Sequence, residues 1–111
     1  MSGLQLSSSA LIRLRAGFLR VHVERHDRME EILAAARAGE ASSDDLSEAQ
    51  TILHRIAGAA GSLGLAPLGD AARETELVFI AVLEDGQGEV QECITALDWF
   101  LGLSLDYCDA A

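Results

Sequence analysis

The sequence predicts an all-α protein folded as an antiparallel, up-down-up-down four-helix bundle. Three observations carry that prediction. The chain is 50% hydrophobic but only 5% aromatic, is dominated by alanine and leucine, and has one proline in 111 residues, a composition that favours helix. Apolar residues recur every three or four positions in four separate runs. The links between the runs are short, which sets successive helices side by side and antiparallel.

The first helix is expected over roughly residues 9–38. Ser7, Ser8 and Ser9 can cap its start, Gly39 ends it, and Leu11, Leu14, Phe18, Val21, Met29, Ile32 and Ala36 form the inward stripe. Arg25 interrupts that stripe and reads as an arginine laying its stem along the core edge with its head in water. His22, His26 and Glu30 are four residues apart on one helix face, a spacing that could hold a metal. The stretch His22-Val23-Glu24-Arg25-His26 lacks the Glu directly after the first His that a zinc-protease helix needs. A solvated polar face, with no metal, is the expectation.

A second helix spans roughly residues 44–63, with Leu46, Ala49, Leu53, Ile56, Ala60 and Leu63 inward. Gly64 suits the left-handed residue after its end, and Pro67 suits the first turn of the third helix, roughly 67–84. There Leu68, Ala71, Thr75, Val78 and Val82 point inward. A fourth helix, roughly 89–107, carries Val90, Cys93, Leu97 and Leu101, with Cys108 continuing the same stripe. The alternative is a three-helix arrangement with the fourth helix docked on another chain. Residues 1–111 are expected to make one domain, because a chain of 11.8 kDa has no room for a second.

Net charge −10 and a sequence pI near 4.5 exclude a nucleic-acid partner, which would require clustered basic residues. All eight basic residues are arginines, and six lie before residue 40 against four acids there. No apolar stretch approaches the roughly 20 residues of a membrane span, and Met1 to Ser9 lack the pattern of a secretory leader. Cys93 and Cys108 read as free, buried or half-buried thiols, so a cytoplasmic protein is expected. No glycine-rich phosphate loop with Lys-Ser/Thr is present, so the chain is not expected to phosphorylate itself.

The second helix contains the chain's one stretch that gives up stability without an obvious structural return, Leu53 to Leu65. Glycine in a helix interior costs about 1 kcal/mol relative to alanine, so Gly58 and Gly61 call for close approach of another backbone or for room for a partner or ligand beside the chain. His54 stands one turn before Gly58 and two before Gly61, beside Gln50, on a face less apolar than the stripe through Leu53. These residues predict an exposed imidazole on a small-residue shelf.

The pattern His54, Gly58, Gly61, Gly64, flanked by Leu53 and Leu65, resembles the phosphoacceptor helix of histidine-containing phosphotransfer (HPt) domains of bacterial phosphorelays, most strongly over Leu53 to Glu76. The resemblance implies a phosphocarrier without kinase activity of its own: His54 takes a phosphoryl group from, and returns it to, receiver-domain aspartates. It implies receivers and a hybrid histidine kinase as partners, no cofactor on this chain, and Mg²⁺ supplied by the receiver. A monomer is expected. Gln50, Arg55, Ala57, Gly58 and Gly61 would form the docking surface.

One departure stands out. The family usually has a lysine three residues after the histidine, where this chain has Ala57. If the first two helices pair about a link near residue 41, Arg28 comes level with His54, and Arg25 one turn away. Either arginine could then supply the missing charge. The alternative function is a degenerate HPt-like module that docks on a kinase or receiver without carrying phosphate. A plain helical scaffold is a further rival, for which a large exposed apolar patch away from His54 would be the sign.

Overall fold

A computed structural model of the chain describes residues 7–110. Four α-helices account for nearly all of it: α1 Ser8–Arg37, α2 Ser43–Ala59, α3 Ala66–Leu83 and α4 Val90–Asp109, with a 3₁₀ turn, Gly61–Leu63, between α2 and α3. Each start has a local cause. Ser7 Oγ accepts from the Ala10 N–H at 3.2 Å. Ser42 and Asp45 close a reciprocal capping box at 3.0 and 3.1 Å, and the Glu89 N–H donates to the Glu92 carboxylate at 2.9 Å. Pro67 falls in the first turn of α3, where its missing N–H costs nothing.

Two helix ends depend on glycine. Gly39 and Gly64 have φ of +73° and +79°, and beyond each the chain bonds back across six residues: Glu40 N–H to Ala35 O at 2.8 Å and Leu65 N–H to Ala60 O at 2.9 Å. The second α-helix is therefore shorter than expected. It stops at Ala59 and tightens into the 3₁₀ turn, so Gly61 lies in that turn and not in an α-helix interior.

The helices pack in cyclic order, α1 against α2 and α4, and α3 against α2 and α4, with the α2–α3 and α1–α4 seams the most extensive. Partners run in opposite directions along each seam. His54 meets Glu76 while Gln50 meets Glu84; His22 meets Ser104 while Arg37 meets Asp98; Arg15 meets Leu63 while Arg28 meets Glu48. The fold is thus the antiparallel four-helix bundle expected, with α4 docked within its own chain.

The core is aliphatic and closed by Phe79 and Phe100, both fully buried, with Met29, Ile32, Leu53, Ile56, Leu68 and Leu97 between them. The inward stripe of α1 differs from expectation. Leu14 and Val21 are 50% and 43% exposed, and Val90 on α4 is also exposed. The buried face of α1 instead runs Leu19, His22, His26, Met29, Ile32, Leu33. The stripe is rotated because two histidines occupy core positions, each with one ring nitrogen held by Ser104 of α4. The expectation that His22, His26 and Glu30 form a solvated polar face fails for both histidines; only Glu30 remains exposed. Cys93 is buried and Cys108 half-buried, both as free thiols, and burial followed by neighbouring Glu92 pushes the Cys93 thiol up to about 11.

No helix among the described residues is long and apolar enough to cross a membrane. The reading of Met1 to Ser9 as free of a leader concerns positions that lie mostly outside the described residues.

Candidate functional site

The C-terminal half of α2 presents His54 to solvent, its side chain 72% exposed. Leu53 and Ile56, immediately around it in sequence, are fully buried. This alternation is what helical periodicity requires: the neighbours hold the helix down while the imidazole points away from the core.

His54 is nonetheless fixed on one side. Its Nδ1 lies 2.7 Å from Oε2 of Glu76, a side chain on α3 that is only 7% exposed. An ionised carboxylate can only accept, so Nδ1 carries the proton and donates it to Glu76. That selects the tautomer in which Nε2 holds the free lone pair, on the solvent side of the ring. Glu76 is the partner of His54 that sequence reasoning missed. Its signal was faint but present: it lies four residues after the buried Ala72 and three before the buried Phe79, a charged group on an apolar face.

The glycines around His54 divide into two kinds. A Cβ added to Gly58 or Gly61 would find no atom within 4 Å, so neither is needed for packing within the chain, and both are exposed. Close helix approach is the job of Gly69 on α3, where an added Cβ would come within 3.4 Å of Ala60 Cβ and of the Gly61 nitrogen. The shelf is therefore clear toward solvent because nothing among the described residues covers it.

The other expected site residues are distributed as follows. Ala57 is half-buried against the core. Gln50 faces the same side as His54, but its amide donates to the Glu84 carboxylate at the end of α3. Arg55 is exposed beside His54, and Arg25 lies near it: burial first, and then the Arg55 charge, push the Arg25 guanidinium below its ordinary value. Arg28 is not level with His54. Its guanidinium donates to Glu48 at 2.9 Å through both Nε and Nη2, and to Asp45 at 3.3 Å. Those acids lie in the first two turns of α2, because the link closes earlier than a centre at residue 41 assumes. Of the two arginines expected to offset Ala57, Arg28 is thus engaged elsewhere, by Glu48 and Asp45. At the end of the shelf, Arg15 Nε donates to Leu63 O at 2.8 Å, tying the 3₁₀ turn to α1, and Gly64 forms the left-handed turn as expected.

An exposed histidine beside uncovered glycines on a four-helix bundle is the arrangement the sequence resemblance implied. The model of the Hpt domain matches residues 13–109. The chain belongs to the Hpt domain family. Members are phosphocarriers in two-component signalling and not kinases, and they work with histidine kinases and receiver domains; this chain shares that general role. No curated protein and no solved structure matches the chain.

Proposed function

We propose that this Hpt domain is a phosphorelay shuttle in which His54 accepts a phosphoryl group from one receiver aspartate and delivers it to another. The observation that carries the reading is the His54–Glu76 pair: the buried carboxylate holds Nδ1–H and leaves Nε2 as an exposed nucleophile.

In the forward step the Nε2 lone pair attacks the phosphorus of an aspartyl phosphate in line. The N–P bond forms as the acyl O–P bond breaks, and the electron pair leaves with the aspartate carboxylate. The ring gains positive charge as the bond forms, and Glu76 faces that charge through Nδ1–H, as the buried acid of a catalytic triad faces its imidazolium. The reverse step returns the phosphoryl group to a second aspartate. Mg²⁺ belongs to the receiver, which neutralises the phosphoryl oxygens during transfer.

Docking would use the shelf of Gly58 and Gly61, with Arg55 and Arg25 meeting the acidic pocket of a receiver. Arg25 is the better candidate to offset Ala57, since Arg28 is engaged by Glu48 and Asp45.

The test is incubation with a phosphorylated receiver. Wild type should acquire acid-labile, base-stable phosphate while the receiver loses it, and His54→Gln should acquire none. A wild-type protein that binds the phosphorylated receiver but never takes up phosphate would establish the rival reading, a docking module without phosphocarrier activity.

A further inference from the structure

The α1–α4 seam gathers a second set of ligating groups, apart from the α2–α3 face that presents His54. His22 and His26 are one turn apart on α1; Ser104 and Cys108 are one turn apart on α4. His22 Nε2 lies 2.7 Å and His26 Nδ1 2.9 Å from the same Ser104 Oγ, so each ring turns one nitrogen to a common point. Cys108 joins them: one ligand atom each from His22, His26 and Cys108 lies within 4.8 Å of the others.

A further feature distinguishes this cluster from an ordinary polar patch. Behind His26, Nε2 lies 3.5 Å from the Glu30 carboxylate, the acceptor that typically orients a metal-bound imidazole from its far side.

We infer that His22, His26 and Cys108 form a site for a divalent transition metal of the zinc class, bound by two imidazoles and a thiolate, with Ser104 Oγ or water in the fourth position. Zinc–nitrogen bonds of about 2.0–2.1 Å and zinc–sulfur bonds of about 2.3 Å require the three donors to close by only about 1 Å, within reach of side-chain rotation. Two imidazoles and one sulfur suit zinc or cobalt and not magnesium or calcium, which take oxygen ligands.

The electrostatics agree. Burial, then His26 and Arg25, push His22 down to about 4, so its ring is neutral near pH 7. Burial, then Asp27, Asp109 and Glu30, push the Cys108 thiol up. Those three carboxylates disfavour a bare thiolate but favour a dication beside it; Arg25 is the opposing charge. Metal binding forms the metal–sulfur bond as the thiol proton leaves to solvent, one proton per ion. The ion would cross-link α1 to α4 and leave the His54 face untouched.

The experiment uses the full-length, tag-free chain, reduced and stripped with chelator, titrated with Co²⁺. One equivalent should bind with thiolate-to-cobalt charge-transfer absorption and the visible bands of a tetrahedral ion, which Zn²⁺ then bleaches. Cys108→Ser should abolish the charge-transfer band and weaken binding at least tenfold, whereas Cys93→Ser and His54→Gln should bind as wild type does. Zn²⁺ should raise the thermal midpoint of wild type and not of Cys108→Ser. A titration without charge-transfer absorption, or a band that survives Cys108→Ser, overturns the inference and leaves the seam a hydrogen-bonded core network. Cys108 is half-buried in the last turn of α4, so its serine variant tests the site even where a His22 variant does not fold.

Discussion

The two helix pairs treat imidazole in opposite ways. On the α2–α3 face, His54 is largely exposed and bonded at one nitrogen to a buried carboxylate; on the α1–α4 seam, His22 and His26 are buried and share a serine hydroxyl. A histidine serves as a nucleophile toward another protein when one nitrogen is held and the other is offered to solvent. The first pair meets that condition and the second does not, although all three residues look alike in the sequence. The glycines repeat the contrast: Gly58 and Gly61 are open, whereas Gly69 is closed by Ala60 across the seam.

Substitutions can break this contrast, beginning with the shelf. Gly58→Leu should reduce receiver-to-His54 transfer by about a hundredfold or more by displacing the docked partner. It should also leave the thermal midpoint unchanged or higher, because a Cβ added there meets no atom within 4 Å and glycine is the poorer helix former by about 1 kcal/mol. Transfer rate and thermal melt measured on one preparation check both halves. A parallel fall in the two would mean the shelf is needed for folding.

Next in size is the carboxylate behind the ring. Glu76→Gln keeps the shape but removes the charge that faces the phosphorylated imidazole, and transfer should slow by roughly ten- to a hundredfold. Stopped-flow transfer kinetics, with circular dichroism to verify the helices, measure this. An unchanged rate would reduce Glu76 to a packing residue.

The buried pair yields the smallest effect and a different readout. Because His22 resists protonation down to about 4 against an ordinary 6.5, the unfolded chain binds a proton that the folded chain refuses between those values. Stability therefore falls as pH drops through that window, by about 1.5 kcal/mol from pH 6.5 to 5 for this one group. Urea melts of wild type and His22→Leu at the two pH values should show a steeper loss for wild type; equal slopes would place the acid sensitivity elsewhere.

Much of the fold was legible because its causes are local. Ser7, Gly39, Gly64 and Pro67 act on backbone groups a few residues away, and the stripes through Leu53 and Ile56 or Leu97 and Leu101 repeat at the helical period. His54 was legible for the same reason, with glycines one and two turns on. The error on α1 arose where apolar character misled. Leu14 and Val21 are exposed while His22 and His26 fill the core, since their burial depends on a hydroxyl 82 and 78 residues away. Arg28 was misplaced because a small error in the centre of a link becomes a full turn of register along the helix.

The sequence alone determined four helices, all but one of their ends to within a few residues, and the histidine that faces outward, since periodicity, caps and left-handed glycines act within a few residues. Only the tertiary structure decided that Glu76 stands behind His54, that Arg28 pairs with Glu48 and Asp45, and that His22, His26, Ser104 and Cys108 meet. Those pairings depend on the register between helices, which is set by how whole core faces interlock and not by any short stretch of chain.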